Sequence, residues 1–104
     1  MLFRSMLDTL AYSEVKGSKT TPAITVYALS TCGFCKRAMK FLEANGFAYR
    51  YIHVDLIPVD TKNEAKRELK EKYHTDIAFP FVTVGNEEHL VGFIEADWKR
   101  TLGV

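Results

Sequence analysis

The sequence predicts an α/β fold in which a four-stranded mixed sheet is flanked by three helices, in the order βαβαββα. A single core is expected, because 104 residues with 47% apolar side chains suffice for one packed domain and not for two. The first half alternates strand, helix and strand patterns, which build a right-handed βαβ unit. The second half adds a helix, a hairpin pattern and a last helix, which extend the same sheet.

The first strand and the first helix meet at the two cysteines of the chain. Residues 23–29, AITVYAL, are β-branched and almost wholly apolar, which is typical of a strand covered on both faces. From Cys35 to Leu42 apolar residues recur at helical spacing, and Gly46 supplies the left-handed residue that ends a helix. The cysteine pair therefore lies where a buried strand runs into a helix N-terminus.

The second strand and the second helix follow directly. Residues 48–56, AYRYIHVDL, are rich in β-branched and aromatic side chains and predict a strand with Ile52, Val54 and Leu56 on one face. Thr61 and Glu64 are spaced as a capping box, which predicts a helix from there to Tyr73. The many charged residues of this helix are expected to face solvent.

The last third of the chain predicts a β-hairpin and a closing helix. Residues 81–84 and 89–91 have the pattern of two strands, and the short turn between them makes the strands antiparallel. Ile94, Trp98 and Leu102 follow at i, i+4 and i+8, which is the spacing of one buried helix face.

Residues 1–21 are expected to be an N-terminal extension, helical or disordered, ahead of a domain that covers residues 22–104. A helix that docks a partner is the alternative interpretation of this extension. The apolar residues that recur at helical spacing within it are Leu2, Phe3, Met6, Leu7 and Leu10. The extension lacks the uninterrupted apolar run and the cleavage site of a secretory signal.

Charge and apolar patterning exclude several classes of partner. Fourteen basic and thirteen acidic residues give a net charge of +1, so no overall field attracts nucleic acid or an acidic membrane surface. No stretch approaches the roughly 18 apolar residues that a membrane-spanning helix needs. We therefore expect neither nucleic acid nor membrane as a partner, and the closely spaced cysteines predict a reducing compartment, the cytoplasm.

Cys32 and Cys35 are predicted to form a reversible dithiol. Unsatisfied backbone N–H groups at the start of the helix point toward Cys32 and favour a thiolate, which is the form that attacks a disulfide. Lys36 and Arg37 add positive charge nearby. We expect Cys32, at the exposed helix tip, to attack, and Cys35, on the apolar face, to resolve the resulting mixed disulfide.

Other chemistries fit the cysteine pair less well. A zinc site needs four ligands, and His53, His74 and His89 lack the paired spacing of zinc ligands, so no metal site is expected. A structural bridge would enclose two residues and gain little loop-closure stabilisation. Cysteine–histidine nucleophilic catalysis remains an alternative, although the layout places no histidine near the motif.

Pro80, in the segment AFPF, precedes the strand that is expected beside the first one. A cis bond at this proline leaves the backbone groups of Phe79 free to pair with an incoming extended peptide. A plain strand-entry proline is an equally weighted alternative.

Four motifs, VYALSTCGFCKRA, ANGFAYRYIHVD, FPFVTV and VGF, are similar to those of the glutaredoxins, small members of the thioredoxin-fold superfamily. The resemblance covers residues 23–102 and implies a thioredoxin-like fold with Cys32 as nucleophile and Cys35 as resolving thiol. It also implies a cis-proline at Pro80 and a Phe79 backbone that aligns the thiol substrate. The residues implied for substrate binding are Thr31, Gly33, Phe34, Lys36, Phe79, Pro80, Gly92 and Phe93.

The same resemblance shows departures that concern glutathione. Glutaredoxins usually carry Pro-Tyr between the cysteines, where this chain has Gly33 and Phe34. Members that use glutathione usually have a lysine at the position of Leu29, and a second glycine and an aspartate at the positions of Phe93 and Ala96. In these respects the chain resembles the glutaredoxin-like hydrogen donors of ribonucleotide reductase, which thioredoxin reductase re-reduces.

The resemblance implies an enzyme, a thiol-disulfide oxidoreductase that reduces protein or mixed disulfides. The expected electron donor is glutathione, as a co-substrate, or thioredoxin reductase, and no tightly bound cofactor is expected. Disulfide-containing proteins, ribonucleotide reductase among them, are the implied partners of a monomeric protein. The alternative is a glutathione-dependent carrier of a [2Fe-2S] cluster, held by Cys32 from each of two subunits.

Overall fold

The computed structural model describes residues 6–85 and 87–104, which form one mixed sheet with helices on both faces. The strands are β1 (Ser13–Val15), β2 (Ile24–Ala28), β3 (Tyr49–His53), β4 (Phe81–Val84) and β5 (Glu88–Val91). The helices are α1 (Gly33–Ala44), α2 (Val59–Tyr73) and α3 (Glu95–Leu102). The sheet order is β1-β3-β2-β4-β5, so the predicted α/β fold is confirmed, with five strands in place of four.

Strand β2 lies at the centre of the sheet, as its apolar sequence predicts. It is parallel to β3 and antiparallel to β4, and Val26 pairs with Tyr51 on one side and Val82 on the other. All five residues of the strand are buried. The cysteine motif that follows β2 therefore starts from the most enclosed element of the sheet.

Two apolar cores hold β2 in place, because alternate side chains of a strand point to opposite faces. On one face Val26 packs with Leu42 of α1 and Trp98 of α3. On the other face Tyr27 packs with Leu69 of α2. Each buried CH₂ group contributes about 0.8 kcal/mol, so both cores oppose any displacement of the strand.

Strand β3 is shorter than predicted. It ends at His53, and Val54–Leu56 form a 3-10 turn. The alternation of a strand stops in such a turn, because it has about three residues per turn. Val54 is buried, whereas Leu56 is 71% exposed. The prediction that Leu56 shares one strand face with Ile52 and Val54 is therefore wrong.

Helix α2 begins at Val59 and not at the capping box that was predicted at Thr61. Pro58 is its N-cap and makes no side-chain capping hydrogen bond. Proline is tolerated at this end of a helix because the N–H groups there lack helical partners in any case. Glu64 forms an ion pair with Arg67 instead of reaching back to cap the helix.

Helix α3 begins at Glu95, so the predicted buried face is only partly correct. Trp98 is 1% exposed and Leu102 is half-buried, but Ile94 precedes the helix and is 60% exposed. The packing of α3 on the sheet therefore depends on Trp98. Across the described residues, no helix has the length and apolar character needed to cross a membrane.

The N-terminal segment supplies the additional strand. Leu2 and Phe3 of the predicted helix lie outside the described residues, and Met6–Thr9 form a 3-10 turn. Strand β1 pairs antiparallel with β3 at the edge of the sheet. Gly17 then lies so close to the segment just before β3 that a Cβ atom there would be 2.5 Å from the backbone nitrogen of Ala48. Only glycine fits this close approach.

Candidate functional site

Cys32 lies at the N-cap of α1, directly after the loop that leaves β2. Its Sγ accepts a hydrogen bond from the backbone N–H of Cys35 at 3.1 Å, as a capping side chain does. Its side chain is half-buried, so part of it is accessible to solvent. An N–H bond and the positive end of the helix dipole both favour a negative charge on this sulfur.

Cys35 lies one turn further along α1 and is fully buried in the core beneath the motif. Burial, together with the hydrogen bond to Cys32, raises the pKa of the Cys35 thiol to about 12. Both cysteines are free thiols. The two sulfurs therefore differ in access, because Cys32 is partly exposed and Cys35 is buried.

Pro80 follows a cis peptide bond from Phe79, so the predicted cis-proline is confirmed. The antiparallel ladder between β2 and β4 ends at Tyr27 and Phe81, which places Phe79 and Pro80 beside the loop that leads to Cys32. Among the residues that the structure describes, the backbone N–H and C=O of Phe79 have no hydrogen-bond partner. These two groups are available to an incoming strand.

A carboxylate that was not predicted holds the loop before the motif. Asp55, in the turn after β3, accepts a hydrogen bond from the backbone N–H of Ser30 at 2.9 Å and a second one from its hydroxyl. These two hydrogen bonds hold the pKa of Asp55 below its usual range. Because β2 and β3 are parallel, their ends meet at one edge of the sheet. That topology is the signal from which Asp55 could have been predicted.

The residues predicted around the cysteines are all exposed. Gly33 and Phe34 begin α1, and Phe34 has 57% of its surface exposed. The guanidinium of Arg37 lies 5.3 Å from the centre of the Phe34 ring. Thr31 and Lys36 flank the pair and also face solvent. A contact of these side chains with substrate stays a prediction.

Gly92 and Phe93 are anchored next to the cis-proline. The N–H of Gly92 donates to the carbonyl of Pro80 at 2.8 Å, and its own carbonyl accepts from Trp98 Nε1 at 3.1 Å. The ring of Phe93 packs edge-on against Trp98, with 5.2 Å between the ring centroids. It also packs at a tilt against Phe41, with 5.7 Å between the centroids. The backbone of Gly92 is thus occupied within the fold, and its role toward substrate stays a prediction.

The positions that depart from the glutathione-using pattern offer no charge to a ligand. Leu29 is half-buried and packs against the core on the α2 face, and Ala96 is exposed in the first turn of α3. No histidine among the described residues forms a hydrogen bond to Cys32 or Cys35. Within the same residues, no three His, Cys, Asp or Glu side chains gather as metal ligands.

A central strand that runs into a Cys-x-x-Cys pair, beside a strand introduced by a cis-proline, defines the class of thioredoxin-fold dithiol proteins. The sequence profile described as Glutaredoxin matches residues 24–90. The chain belongs to the glutaredoxin family, and membership supports a general activity as a thiol oxidoreductase.

Solved structures agree with this assignment. The glutaredoxin from Methanosarcina mazei Go1 is 29% identical, with a TM-score of 0.77 over 89% of this chain and 88% of that one. The methanoredoxin of Methanosarcina acetivorans is 31% identical, with a TM-score of 0.74 over 85% of this chain and 90% of that one. A buckwheat glutaredoxin–glutathione complex shares the fold, at 22% identity. Its TM-score is 0.62 over 77% of this chain and 69% of that one. No curated protein matches the chain.

Proposed function

We propose that this protein reduces protein or mixed disulfides by a dithiol mechanism, with Cys32 as the nucleophile and Cys35 as the resolving thiol. The observation that carries the proposal is the asymmetry of the pair. Cys32 is accessible and accepts a backbone N–H bond, whereas Cys35 is buried. The unpaired backbone of Phe79 beside them supports the binding of an extended disulfide segment.

In the first step the Cys32 thiolate attacks one sulfur of the substrate disulfide. A bond forms between Cys32 Sγ and that sulfur, the substrate S–S bond breaks, and the other substrate sulfur leaves as a thiolate. The N–H of Cys35 that bonded the thiolate is already in place before attack, at 3.1 Å, so no reorganisation of the helix start is needed.

In the second step Cys35 loses its proton and attacks Cys32 Sγ. The Cys32–Cys35 disulfide forms, the second substrate thiol is released, and two electrons have passed to the substrate. Two causes raise the pKa of Cys35 in the reduced protein, its burial and its hydrogen bond to Cys32. The second cause is lost once Cys32 carries the substrate, which makes the Cys35 proton easier to remove at that stage.

The electrons that restore the dithiol come from glutathione or from thioredoxin reductase under this proposal. The packed side chain of Leu29 favours the reductase, since it offers no cation to a glutathione carboxylate. Lys36 is exposed beside the pair and supports glutathione in part. A compartment that keeps such a pair reduced, the cytoplasm, is part of the proposal, and ribonucleotide reductase is a candidate substrate.

Reduction of insulin disulfides tests the function and the donor together. One reaction contains glutathione with its reductase, a second contains thioredoxin reductase, and each is run with the wild-type protein and with Cys32→Ser. We expect consumption of NADPH in at least one arm with the wild type and background rates with Cys32→Ser. Equal rates for the two proteins would overturn the proposal.

A further inference from the structure

A carboxylate from the end of β3 holds the loop that joins β2 to Cys32. The parallel ladder of the two strands ends with the pair Ala28 and His53. Two residues beyond that pair, on either side, lie Ser30 and Asp55. The Asp55 carboxylate accepts a hydrogen bond from the Ser30 N–H at 2.9 Å and a second one from the Ser30 hydroxyl. A side-chain oxygen thus supplies the acceptor that a longer β3 would have supplied with a carbonyl.

The turn that carries Asp55 is itself fixed in the fold. Its neighbour Val54 is 1% exposed and belongs to the same apolar core as Tyr27 and Phe81. The carboxylate is therefore exposed to solvent but mounted on an anchored backbone. Hydrogen bonds to an ionised acceptor are about twice as strong as neutral ones, so this contact can hold the loop in one position.

The residue before Ser30, Leu29, contacts both cysteines through its backbone. Its carbonyl accepts a hydrogen bond from the N–H of Cys32 at 3.2 Å. Burial and the hydrogen bond with Cys32 raise the pKa of the Cys35 thiol, and a hydrogen bond from the Leu29 backbone is the largest of the causes that lower it. A donor at this place favours the thiolate of Cys35. The position of the Leu29 backbone therefore affects how readily Cys35 reacts.

The negative charge of Asp55 does not explain its place beside the cysteines. A carboxylate near a thiol disfavours the thiolate, so the charge alone opposes attack by either sulfur. Asp55 also forms no ion pair within the part of the chain that the structure describes. What the carboxylate contributes is the pair of hydrogen bonds to Ser30.

We propose that Asp55 is a positioning residue for the second step of the reaction, in which it holds Ser30 so that the Leu29 backbone keeps its hydrogen bond to the sulfur of Cys35. This inference rests on the proposed function and adds a residue that determines the rate of resolution. In that step Cys35 gives its proton to water, its thiolate attacks Cys32 Sγ, and the substrate thiolate leaves and takes up a proton from solvent. The first step does not depend on Asp55, because the N–H that bonds Cys32 belongs to Cys35, within α1.

Reaction of the reduced protein with dithiobis(nitrobenzoate) measures the two steps separately. Attack of Cys32 on this disulfide releases one coloured thionitrobenzoate and leaves the other bound to Cys32 as a mixed disulfide. Attack of Cys35 on Cys32 Sγ then releases the second one. In stopped-flow mixing the rate of the first phase is proportional to the reagent concentration, and the rate of the second is independent of it. Cys35→Ser should release one equivalent only, which identifies the phases.

We expect the second phase to be about tenfold slower in Asp55→Ala, since a hydrogen bond to a charged group is weakened. The first phase should not slow, because the loss of a negative charge favours the Cys32 thiolate and the anionic reagent. The pH profile of the second phase supplies a further readout. Its rate rises as Cys35 loses its proton, and a weaker bond to the thiolate should move this rise to higher pH.

Two variants serve as controls for Asp55→Ala. In Asp55→Asn the amide oxygen can accept from the Ser30 N–H and the amide N–H can donate to the Ser30 hydroxyl, so the second phase should stay within about threefold of the wild type. Asp76→Ala removes a 95% exposed carboxylate beyond the end of α2 and should leave both phases unchanged. Near-ultraviolet circular dichroism shows whether each variant is folded. If Asp55→Ala is not, Ser30→Ala takes its place, with a second phase about threefold slower because one of the two hydrogen bonds is lost.

The outcomes separate this inference from the proposed function. Release of no thionitrobenzoate by the wild type, or of one equivalent only, would overturn the proposed function and this inference with it. A second phase of wild-type rate and pH profile in folded Asp55→Ala, or in Ser30→Ala where that variant replaces it, would overturn the inference alone. Equal slowing in Asp55→Asn and Asp55→Ala would assign the effect to charge, and equal slowing in Asp76→Ala would assign it to general destabilisation. Either result would also overturn the inference.

Discussion

The two ends of strands β2 and β3 differ. Where the strands finish, the chain exposes a reactive sulfur, an unpaired backbone segment and apolar side chains. Where the strands start, the polar groups are paired with one another. There Arg50 Nε donates to the buried hydroxyl of Thr25 at 2.8 Å. The same guanidinium lies 3.9 Å from the ring centre of Tyr12. Further along β2, the hydroxyls of Tyr12 and Tyr27 are hydrogen-bonded at 2.9 Å, and burial raises the pKa of Tyr27 far above its usual range.

The difference indicates that the groups that stabilise the fold and the groups that react lie at different ends of β2 and β3. Groups at the start of β2 and β3 are satisfied by one another and hold the N-terminal segment on the sheet. At the other end Cys32 is partly accessible and the backbone of Phe79 is unpaired among the described residues, and the two regions lie at opposite ends of the central strands. A substitution in one region should therefore spare the property that depends on the other.

The largest expected effect concerns Cys35→Ser. Serine cannot resolve a mixed disulfide, so steady-state reduction of insulin should fall about a hundredfold or more, while the first attack by Cys32 persists. Intact-mass measurement should show the substrate thiol attached to the protein, and peptide mapping should place it on Cys32. Turnover at the wild-type rate would show that Cys35 is not the resolving thiol.

Selective alkylation separates the two sulfurs of the pair. Because the pKa of Cys35 is raised to about 12, its thiol stays protonated at neutral and mildly alkaline pH. Iodoacetamide at pH 8 should modify Cys32 about a hundredfold faster than Cys35, as measured by mass spectrometry of the digested protein. In urea the two rates should become equal, and a difference that persists there would trace the selectivity to local sequence rather than to burial.

An intermediate effect on stability is expected for Arg50→Ala. The substitution removes the partner of the Thr25 hydroxyl and the cation over Tyr12, and should lower the free energy of unfolding by about 1–3 kcal/mol. The rate of disulfide reduction should change less than about twofold. Arg67→Ala is the control, since its ion pairs are exposed and should contribute little to stability. A loss of activity in Arg50→Ala would contradict the expectation that substitutions at one end of the strands spare the property that depends on the other end.

The smallest effect concerns the pH dependence that Asp55 provides. Its pKa is lowered in the folded protein by the hydrogen bonds from Ser30. Its contribution is therefore present above the unfolded pKa of about 3.9 and is lost as the pH falls through the lower folded value. Urea unfolding at several values between pH 6 and pH 2 should show a shallower acid loss of stability in Asp55→Asn than in the wild type. Asp76→Asn, at an almost fully exposed carboxylate, should retain the wild-type slope.

The sequence was sufficient for the parts of this molecule that depend on local pattern. The apolar run of β2, the stop at Gly46 and the adjacency of Cys32 to a helix start all follow from spacing, and the structure confirms them. The local pattern alone leaves the cis-proline at Pro80 as one of two equal interpretations, the family resemblance favours it, and the structure has the cis bond.

The missed features depend on contacts between distant segments. Strand β1 has only three residues and pairs with β3 across more than thirty positions of sequence, so no local pattern marks it. The bond from Asp55 to Ser30 joins residues 25 positions apart. The exposure of Leu56 and Ile94 follows from where β3 ends and α3 begins, and boundaries of this kind shift with tertiary packing.

Strand β1 also determines where the chain can be shortened. It covers the outer edge of β3, and a protein beginning at residue 22 would present that edge as a free row of N–H and C=O groups. Such an edge invites pairing between molecules, so the shortened protein should self-associate even though its cysteine motif is intact. Residues 13–15 thus protect the edge of the sheet against aggregation, a role independent of any redox chemistry.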